Sequence, residues 1–274
     1  PPSTKHLLVV GETLQRRLAR GEKTAIVFRG LTVQAICLKL LHAVGLAETQ
    51  GMSALRSYLL KIDIEAKKAS ASKGTKELVD LKGFKDMAHI VLTSPVEHPK
   101  ISRVMSIVSR VLISSADSKI IIFSQYRDTC DMLVEKLSTI PGARVGKLIG
   151  QSRGGLKQKE QMNVLSDFHS GVCNVVVSTS VGEEGLDVAS TDAVIFYEPV
   201  PSEIRTIQRR GRTGRSRDGE VYVLVARGTV DEVFEKSSKK KEELMRSRLE
   251  GLGRTLKDRA PPKKERGQMR LVDF

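Results

Sequence analysis

The sequence predicts a doubly wound α/β domain, in which helices cover both faces of a parallel sheet, with an all-helical domain in front of it. Three observations lead to this fold class. Short β-branched runs such as KIIIF and NVVVS follow Ser118, and continuous apolar strands of this kind are buried on both faces. Helices with one apolar side alternate with these runs. Before Ser118, the apolar residues fall at helical spacing instead.

Residues 1–98 are predicted to form the helical domain. Two apolar stripes mark its helices, one made of Val33, Ile36, Cys37, Leu40, Leu41 and Val44 and the other of Leu55, Tyr58, Leu59 and Ile62. Residues 65–76, EAKKASASKGTK, are small, polar and basic, which predicts a mobile loop. Pro95 and Pro99 indicate a turn, and we place the domain boundary there.

Residues 99–252 are predicted to form the α/β domain. A helix over residues 101–112 opens it, and five apolar runs follow as strands: KIIIF, VGKLI, NVVVS, AVIFY and EVYVLV. Their carboxyl ends are where such sheets carry functional loops. A charged helix is expected over residues 229–252. Residues 253–274 have the proline and charge content of a flexible basic tail.

Composition narrows the classes of partner. The chain has 46 Lys and Arg against 32 Asp and Glu, a net charge of +14, so a polyanion is the expected large partner, and nucleic acid is favoured over an acidic membrane surface. No uninterrupted apolar run approaches the roughly 18 residues of a membrane span. The three cysteines are far apart and the histidines lack ligand spacing, so we expect no disulfide, no structural metal and a reducing intracellular compartment, cytoplasmic or nuclear.

The strongest motif is QRRGRTGR at residues 208–215. Its composition alone also fits a basic nucleic-acid loop. However, it follows the AVIFYE strand on a helix expected to begin near Ser202, where arginines three apart project from one face. Two guanidinium groups can then reach one phosphate chain, and fixed arginines stabilise the charge that develops in phosphoryl transfer.

QRRGRTGR resembles motif VI of superfamily 2 helicases, and TSVGEEGLD at residues 179–187 resembles their motif V. With VVVSTSVGEEGLDV, FYEPVPSEIRTIQRRGRTGR and LHAVGLAETQGMSALRSYL, the chain is similar to the Hef and Fanconi anaemia M-type helicases over residues 24 to about 249. The resemblance implies a second RecA-like motor domain with a helical insertion that grips duplex DNA. It also implies an ATP-dependent helicase or translocase acting on branched, fork DNA in repair or replication restart.

The resemblance also assigns roles to residues. Arg212 and Arg215 would be arginine fingers at the γ-phosphate, with Gln208 at the edge of the nucleotide cleft. Gly185 and Asp187 would approach the ribose. The expected contacts with nucleic acid are Ser124, Gln125, Gly150, Gln151, Thr179 and Ser180. One departure is Lys157, where relatives commonly have a serine that would cap the following helix.

A phosphate-binding G-x-x-x-x-G-K-[ST] motif and a DEAD-like acidic cluster are not found in these 274 residues. The chain also opens with Pro1-Pro2 and no Met, so we expect a piece of a longer protein. ATP and Mg²⁺ would then need ligands from an N-terminal RecA-like domain of that protein, and the chain alone should hydrolyse ATP negligibly. Two other functions stay open: a duplex-RNA-dependent ATPase of the Dicer or innate-sensor kind, and a non-catalytic nucleic-acid-binding scaffold.

The last seven residues, QMRLVDF, suggest a further partner. Gln268, Leu271 and Phe274 stand at positions one, four and seven, a spacing similar to the sliding-clamp-binding peptide of replication and repair proteins. The second aromatic residue of that peptide is absent here. One helical turn would place Leu271 and Phe274 together in an apolar pocket.

Overall fold

The computed structural model describes residues 3–150, 156–179, 191–199, 220–237 and 240. Five helices make up a bundle within these residues: α1 (Thr4–Ala19), α2 (Ala25–Thr49), α3 (Met52–Ala66), α4 (Lys73–Asp80) and α5 (Lys82–Thr93). A sheet domain follows, composed of α6 (Pro99–Ser114), β1 (Ile120–Phe123), α7 (Arg127–Leu137), β2 (Val145–Leu148), α8 (Gln158–Ser170), β3 (Val175–Ser178), β4 (Ala193–Phe196) and β5 (Glu220–Val223). Residues 230–237 are helical again.

The five strands are all parallel and lie in the order β2-β3-β1-β4-β5. Alternate residues of each strand face opposite sides of the sheet. Ile120 and Ile122 pack with residues of α6 and α7, whereas Ile121 and Phe123 pack with Phe168 of α8. Helices therefore cover both faces, and the predicted doubly wound sheet behind a helical bundle is confirmed.

The topology creates a crevice at the carboxyl edge of the sheet. The chain leaves β1 towards the β2 side of the sheet, and it leaves β4 towards the β5 side. Because β1 and β4 are neighbours, their connections diverge, and ligands of open α/β sheets bind in crevices of this kind. Ser124 and Glu198 stand on either side of this point.

The bundle has its own apolar core, formed by Ala43, Leu46, Ala54, Leu55, Leu59, Ile62, Leu78, Phe84 and Val91. The predicted stripe on α3 is confirmed. On α2 the prediction is wrong at Val33 and Val44, which are 42% and 50% exposed. Much of the circumference of α2 is apolar, so spacing alone does not define its inner face. Contacts with α3 and α4 select Ala43 and Leu46.

The predicted loop over residues 65–76 is shorter in the structure. The helix α4 begins at Lys73, because the Ser72 side chain accepts a hydrogen bond from the Thr75 N–H at 3.2 Å and so caps its first turn. Leu78 of α4 is fully buried. Burial of this apolar side chain and the serine cap outweigh the polar composition of the segment.

Two further helix features bear on the sequence predictions. The helix α8 starts directly after Lys157 even without a serine cap, since the Glu160 carboxylate accepts a hydrogen bond from the Lys157 N–H at 2.6 Å. Among the described helices, α2 alone has the length and composition of a membrane span. Core helices can share that composition, and α2 packs against α1, α3 and α4. All three cysteines are free.

Candidate nucleic-acid interface

Three of the residues that are predicted to contact nucleic acid lie together at the carboxyl edge of the sheet: Ser124, Gly150 and Thr179. Phe123 and Leu148 both align with Ser178 across adjacent strands. The backbone continues this register, because the Ser124 N–H donates to Ser178 O at 3.0 Å and the Thr179 N–H donates to Leu148 O at 3.1 Å. The residues that follow β1, β2 and β3 therefore form one edge.

At this edge, the Ser124 hydroxyl points into the protein. Ser124 is 3% exposed, and its Oγ donates to Glu198 Oε2 at 3.2 Å. The neighbouring Gln125 is exposed, while its backbone N–H donates inward to Glu198 Oε1. The outer surface of this loop is thus presented by Gln125.

The second and third strand ends contribute backbone and hydroxyl groups. Arg127 of α7 donates from Nη2 to Gly150 O at 2.6 Å, which ties the end of β2 to the loop after β1. Thr179 is buried, and its Oγ1 has no hydrogen-bond partner among the described residues. A buried hydroxyl in this state is a polar group that a ligand or a neighbouring segment can satisfy.

The end of α2 docks against this edge through Gln50, which is 1% exposed. Its side-chain Oε1 accepts a hydrogen bond from Thr129 Oγ1 at 2.9 Å, and its Nε2 lies 3.5 Å from Glu198 Oε2. Its backbone carbonyl accepts a hydrogen bond from the Tyr197 hydroxyl at 3.3 Å. One bundle residue therefore reaches three residues of the sheet domain.

A buried ion pair lies beside Gln50. Lys100, in the first turn of α6, places Nζ 2.5 Å from Asp231 Oδ2 and 3.0 Å from Thr49 O, the last carbonyl of α2. A cation at a helix C-terminus also complements the helix dipole. We call Gln50, Lys100, Thr129, Glu198 and Asp231 the polar junction, since they join the bundle, the sheet and the helical residues 230–237.

Burial dominates the electrostatics of the polar junction. It raises the pKa of Glu198, while the hydrogen bond from the Gln125 N–H and the charge of Lys100 act in the opposite direction. Burial also lowers the pKa of Lys100, against the stabilising hydrogen bond to Asp231. For Glu198 and Lys100, desolvation therefore exceeds the compensation that their partners supply.

A cleft of about 290 Å³ opens between the bundle and the sheet edge, and Gln50, Gln125, Tyr126 and Glu198 are among the residues that line it. Tyr126 reaches from the sheet domain into the apolar core of the bundle. The Gln125 surface therefore borders a cleft whose other wall belongs to the bundle.

The remaining predicted site residues lie outside the described residues. They are Gln151, Ser180, Gly185, Asp187, Gln208, Arg212 and Arg215, together with Gln268, Leu271 and Phe274 of the tail. Within the part of the chain that is described, no group of three or more His, Cys, Asp or Glu residues could hold a metal ion.

Sequence reasoning pointed to the carboxyl ends of the strands, and Glu198 directly follows the AVIFY strand, but it gave Glu198 no role and missed Gln50, Lys100 and Asp231. An acidic residue directly after the buried run AVIFY was a usable signal for Glu198, because a charge at the end of a buried strand needs partners. Gln50 and Lys100 carry no such signal, since their partners are distant in sequence.

Comparison with known families defines the class of protein. The family described as "Helicase conserved C-terminal domain" matches residues 100–217. The family described as "Putative ATP-dependent RNA helicase, helical bundle" matches residues 2–98. The chain thus combines a RecA-like helicase motor domain with a helical bundle in front of it.

Individual relatives support the same class of protein. The chain is 42% identical, over 78% of its length, to the "Putative ATP-dependent RNA helicase" of Methanocaldococcus jannaschii, of which it spans 27%. It is 39% identical to the Fanconi anemia group M protein of Gallus gallus, over 48% of this chain and 7% of that protein. The crystal structure of the Pyrococcus furiosus Hef helicase domain matches with a TM-score of 0.68 and 41% identity, over 86% of this chain and 49% of that one. The chain therefore has a helicase C-terminal domain and a helical bundle, its structure closely matches the Hef helicase domain, and its homologues include helicases of the Fanconi anaemia M type.

Proposed function

We propose that this chain is the C-terminal half of the motor of an ATP-dependent DNA helicase or translocase that acts on branched DNA in repair or replication restart. The observation that carries the proposal is the shared edge of β1, β2 and β3, where Ser124, Gly150 and Thr179 lie side by side. Hydroxyl and backbone groups at strand ends suit sequence-independent binding of phosphates. Gln125, Gln151 and Ser180 complete the proposed contacts with one strand.

In this proposal the nucleotide site is shared with an N-terminal RecA-like domain of the same protein, which supplies the phosphate-binding loop and the ligands of Mg²⁺. Arg212 and Arg215 stabilise the charge on the γ-phosphate as it is transferred, and Gln208 borders the cleft. Gly185 and Asp187 approach the ribose. These roles come from the motif resemblance of residues 179–187 and 208–215.

Substitution of the proposed arginine fingers tests the assignment. In the complete motor, Arg212→Ala or Arg215→Ala should lower DNA-stimulated ATP hydrolysis by about 10³ or more, because the transition-state charge loses a fixed cation. Binding of forked DNA should stay close to that of the wild type. Near-normal turnover in either variant would show that the finger assignment is wrong.

A duplex-RNA-dependent ATPase is the second candidate, favoured because the bundle family and the M. jannaschii relative are both described as putative ATP-dependent RNA helicases. The two candidates separate when hydrolysis by the complete motor is measured with forked DNA and with duplex RNA. Stimulation by forked DNA supports the first candidate, and stimulation by duplex RNA alone supports the second. In either case the affinity of the motor for nucleic acid should fall steeply as the salt concentration rises, because phosphate contacts release counterions.

Two other assignments have direct tests. A non-catalytic scaffold would bind nucleic acid while the complete motor hydrolysed no ATP. For the proposed sliding-clamp peptide, a fluorescent peptide of residues 262–274 is titrated with the clamp. Binding that is lost with Phe274→Ala supports this partner, whereas no binding, or binding indifferent to Phe274, removes it.

A further inference from the structure

One side chain, Glu198, holds the loop after β1 from beneath. Its Oε1 accepts the backbone N–H of Gln125, and its Oε2 accepts the hydroxyl of Ser124 at 3.2 Å. Glu198 is 7% exposed. Both residues of the loop are therefore fixed by the same buried carboxylate.

A carboxylate at a phosphate-binding edge would ordinarily repel the ligand. Here that conflict is reduced in two ways. Glu198 lies behind Ser124 and Gln125, and its carboxylate oxygens accept hydrogen bonds from both residues. The nearby Lys100 also opposes its negative charge. The position suits a residue that organises the loop from inside and leaves the outer surface of the loop to the ligand.

Glu198 is itself held from the bundle. Gln50 Nε2 lies 3.5 Å from Glu198 Oε2, and the same Gln50 side chain accepts a hydrogen bond from Thr129 of α7. The Tyr197 hydroxyl holds the Gln50 backbone. Movement of the end of α2 would therefore shift Glu198 as well, because leaving a buried hydrogen-bonding group unpaired costs free energy.

We propose that Glu198 is a positioning residue for the binding of a nucleic-acid strand. It holds residues 124–125 in the arrangement that contacts the phosphate backbone of that strand, and Gln50 anchors Glu198 to the helical bundle. This inference rests on the proposed function, in which Ser124 and Gln125 contact that strand. A loop ordered before the strand arrives avoids an ordering cost during binding.

The test uses ATP hydrolysis by the complete motor, measured as a function of forked-DNA concentration. Glu198→Ala should raise the half-saturating DNA concentration by about tenfold, while the rates without DNA and at saturating DNA change by less than about twofold, because the lost interaction acts on strand binding. Glu198→Gln keeps an oxygen for the Gln125 N–H, and should stay within about threefold of the wild type.

Asn174→Ala is the matched control. Asn174 is also buried, at 1% exposure, but lies at the opposite edge of the sheet, where its side chain bonds the Arg144 N–H and Gly142 O. This variant should lower the melting temperature and leave the half-saturating DNA concentration unchanged. Equal half-saturation in Glu198→Ala and Asn174→Ala would overturn the inference.

A further single variant, Gln50→Leu, keeps the inference testable if Glu198→Ala does not fold, and a double variant tests the link between Glu198 and Ser124. Gln50→Leu removes the bundle anchor while preserving side-chain size, and should raise half-saturation by about threefold, less than Glu198→Ala because two of the hydrogen bonds to Glu198 remain. Unchanged half-saturation in Gln50→Leu would remove the link to the bundle. In the double variant Ser124→Ala/Glu198→Ala, half-saturation should match that of Glu198→Ala, since Ser124 is held by Glu198; additive effects would contradict this.

Measurements on the wild type distinguish a failure of the proposed function from a failure of this inference. A complete motor whose ATP hydrolysis responds to neither forked DNA nor duplex RNA would overturn the proposed function, and this inference with it. A motor that responds normally, but whose Glu198→Ala variant has wild-type half-saturation, would overturn the inference alone. If duplex RNA is the only stimulator, the same series is run with duplex RNA.

Discussion

Lys100 Nζ lies 2.5 Å from Asp231 Oδ2, although the two residues are 131 positions apart and their side chains are only 5% and 2% exposed. Asp231 Oδ2 also accepts the Ala226 N–H at 3.0 Å, and the Lys100 ammonium lies 5.1 Å from the centre of the Tyr197 ring. This contact joins the start of α6 to the helical residues 230–237, and it sits directly under the end of α2.

Removal of one partner of this ion pair should lower the stability of the folded protein. Asp231→Ala leaves the Lys100 charge buried without its partner, and should lower the free energy of unfolding by about 3–5 kcal/mol in chemical denaturation. The exposed pair Lys67–Asp63 provides the control: Asp63→Ala should cost less than about 1 kcal/mol. A similar loss in the two variants would show that burial does not decide the strength of the Lys100 pair.

Gly51 should not tolerate a side chain. Its φ is +99°, in the region that L-residues rarely adopt, and an added Cβ would lie 2.6 Å from His98 Cβ. Gly51→Ala should therefore destabilise the protein by about 2–4 kcal/mol from backbone strain and steric conflict. Gly45→Ala, within α2 and with open space around it, should stabilise by up to about 1 kcal/mol. Equal melting temperatures for these two variants would contradict the geometry of the α2–α3 turn.

Glu198 should give stability a characteristic pH dependence. Burial raises its pKa above the ordinary value of 4.5, so the folded state holds the proton more tightly than the unfolded state. The contribution of Glu198 to the free energy of unfolding is full below pH 4.5 and is lost as pH rises through the folded-state pKa. Glu198→Gln does not titrate, so its unfolding free energy relative to wild type should increase with pH over that window. Parallel curves for the two proteins would exclude the raised pKa.

His98 should act in the opposite direction. Its Nδ1 accepts the Lys100 N–H at 3.2 Å and its Nε2 donates to Glu48 O at 3.0 Å, so the neutral ring caps α6. Burial lowers its pKa below 6.5. Stability from His98 is therefore present above 6.5 and is lost as pH falls through the folded-state pKa.

His98→Asn keeps a capping side chain without a titrating ring, and should remove this loss from thermal unfolding curves recorded between about pH 8 and pH 5. His169→Asn, at an exposed position of α8, serves as the control and should retain the wild-type pH dependence. Loss of stability at low pH that survives in His98→Asn would assign it to another group.

The sheet domain could be predicted from the sequence alone. All five predicted strands are present, because runs such as IIIF and AVIF are apolar and buried at every position and can be satisfied only between two layers of helices. The strand ends were therefore predictable, and with them the placement of Ser124, Gly150 and Thr179 at one edge. The family followed from motif residues whose order along the chain is itself informative.

Tertiary contacts set the inner face of α2, the start of α4 and the polar junction, and the sequence did not predict them. An apolar circumference leaves the buried face of α2 to its neighbours, and α4 depends on burial of Leu78 and the Ser72 cap. The partners at the polar junction are joined by folding across large sequence separations, as between Gln50 and Glu198. Periodicity records the environment of one segment at a time, so it holds no information on which distant polar group completes a buried hydrogen bond.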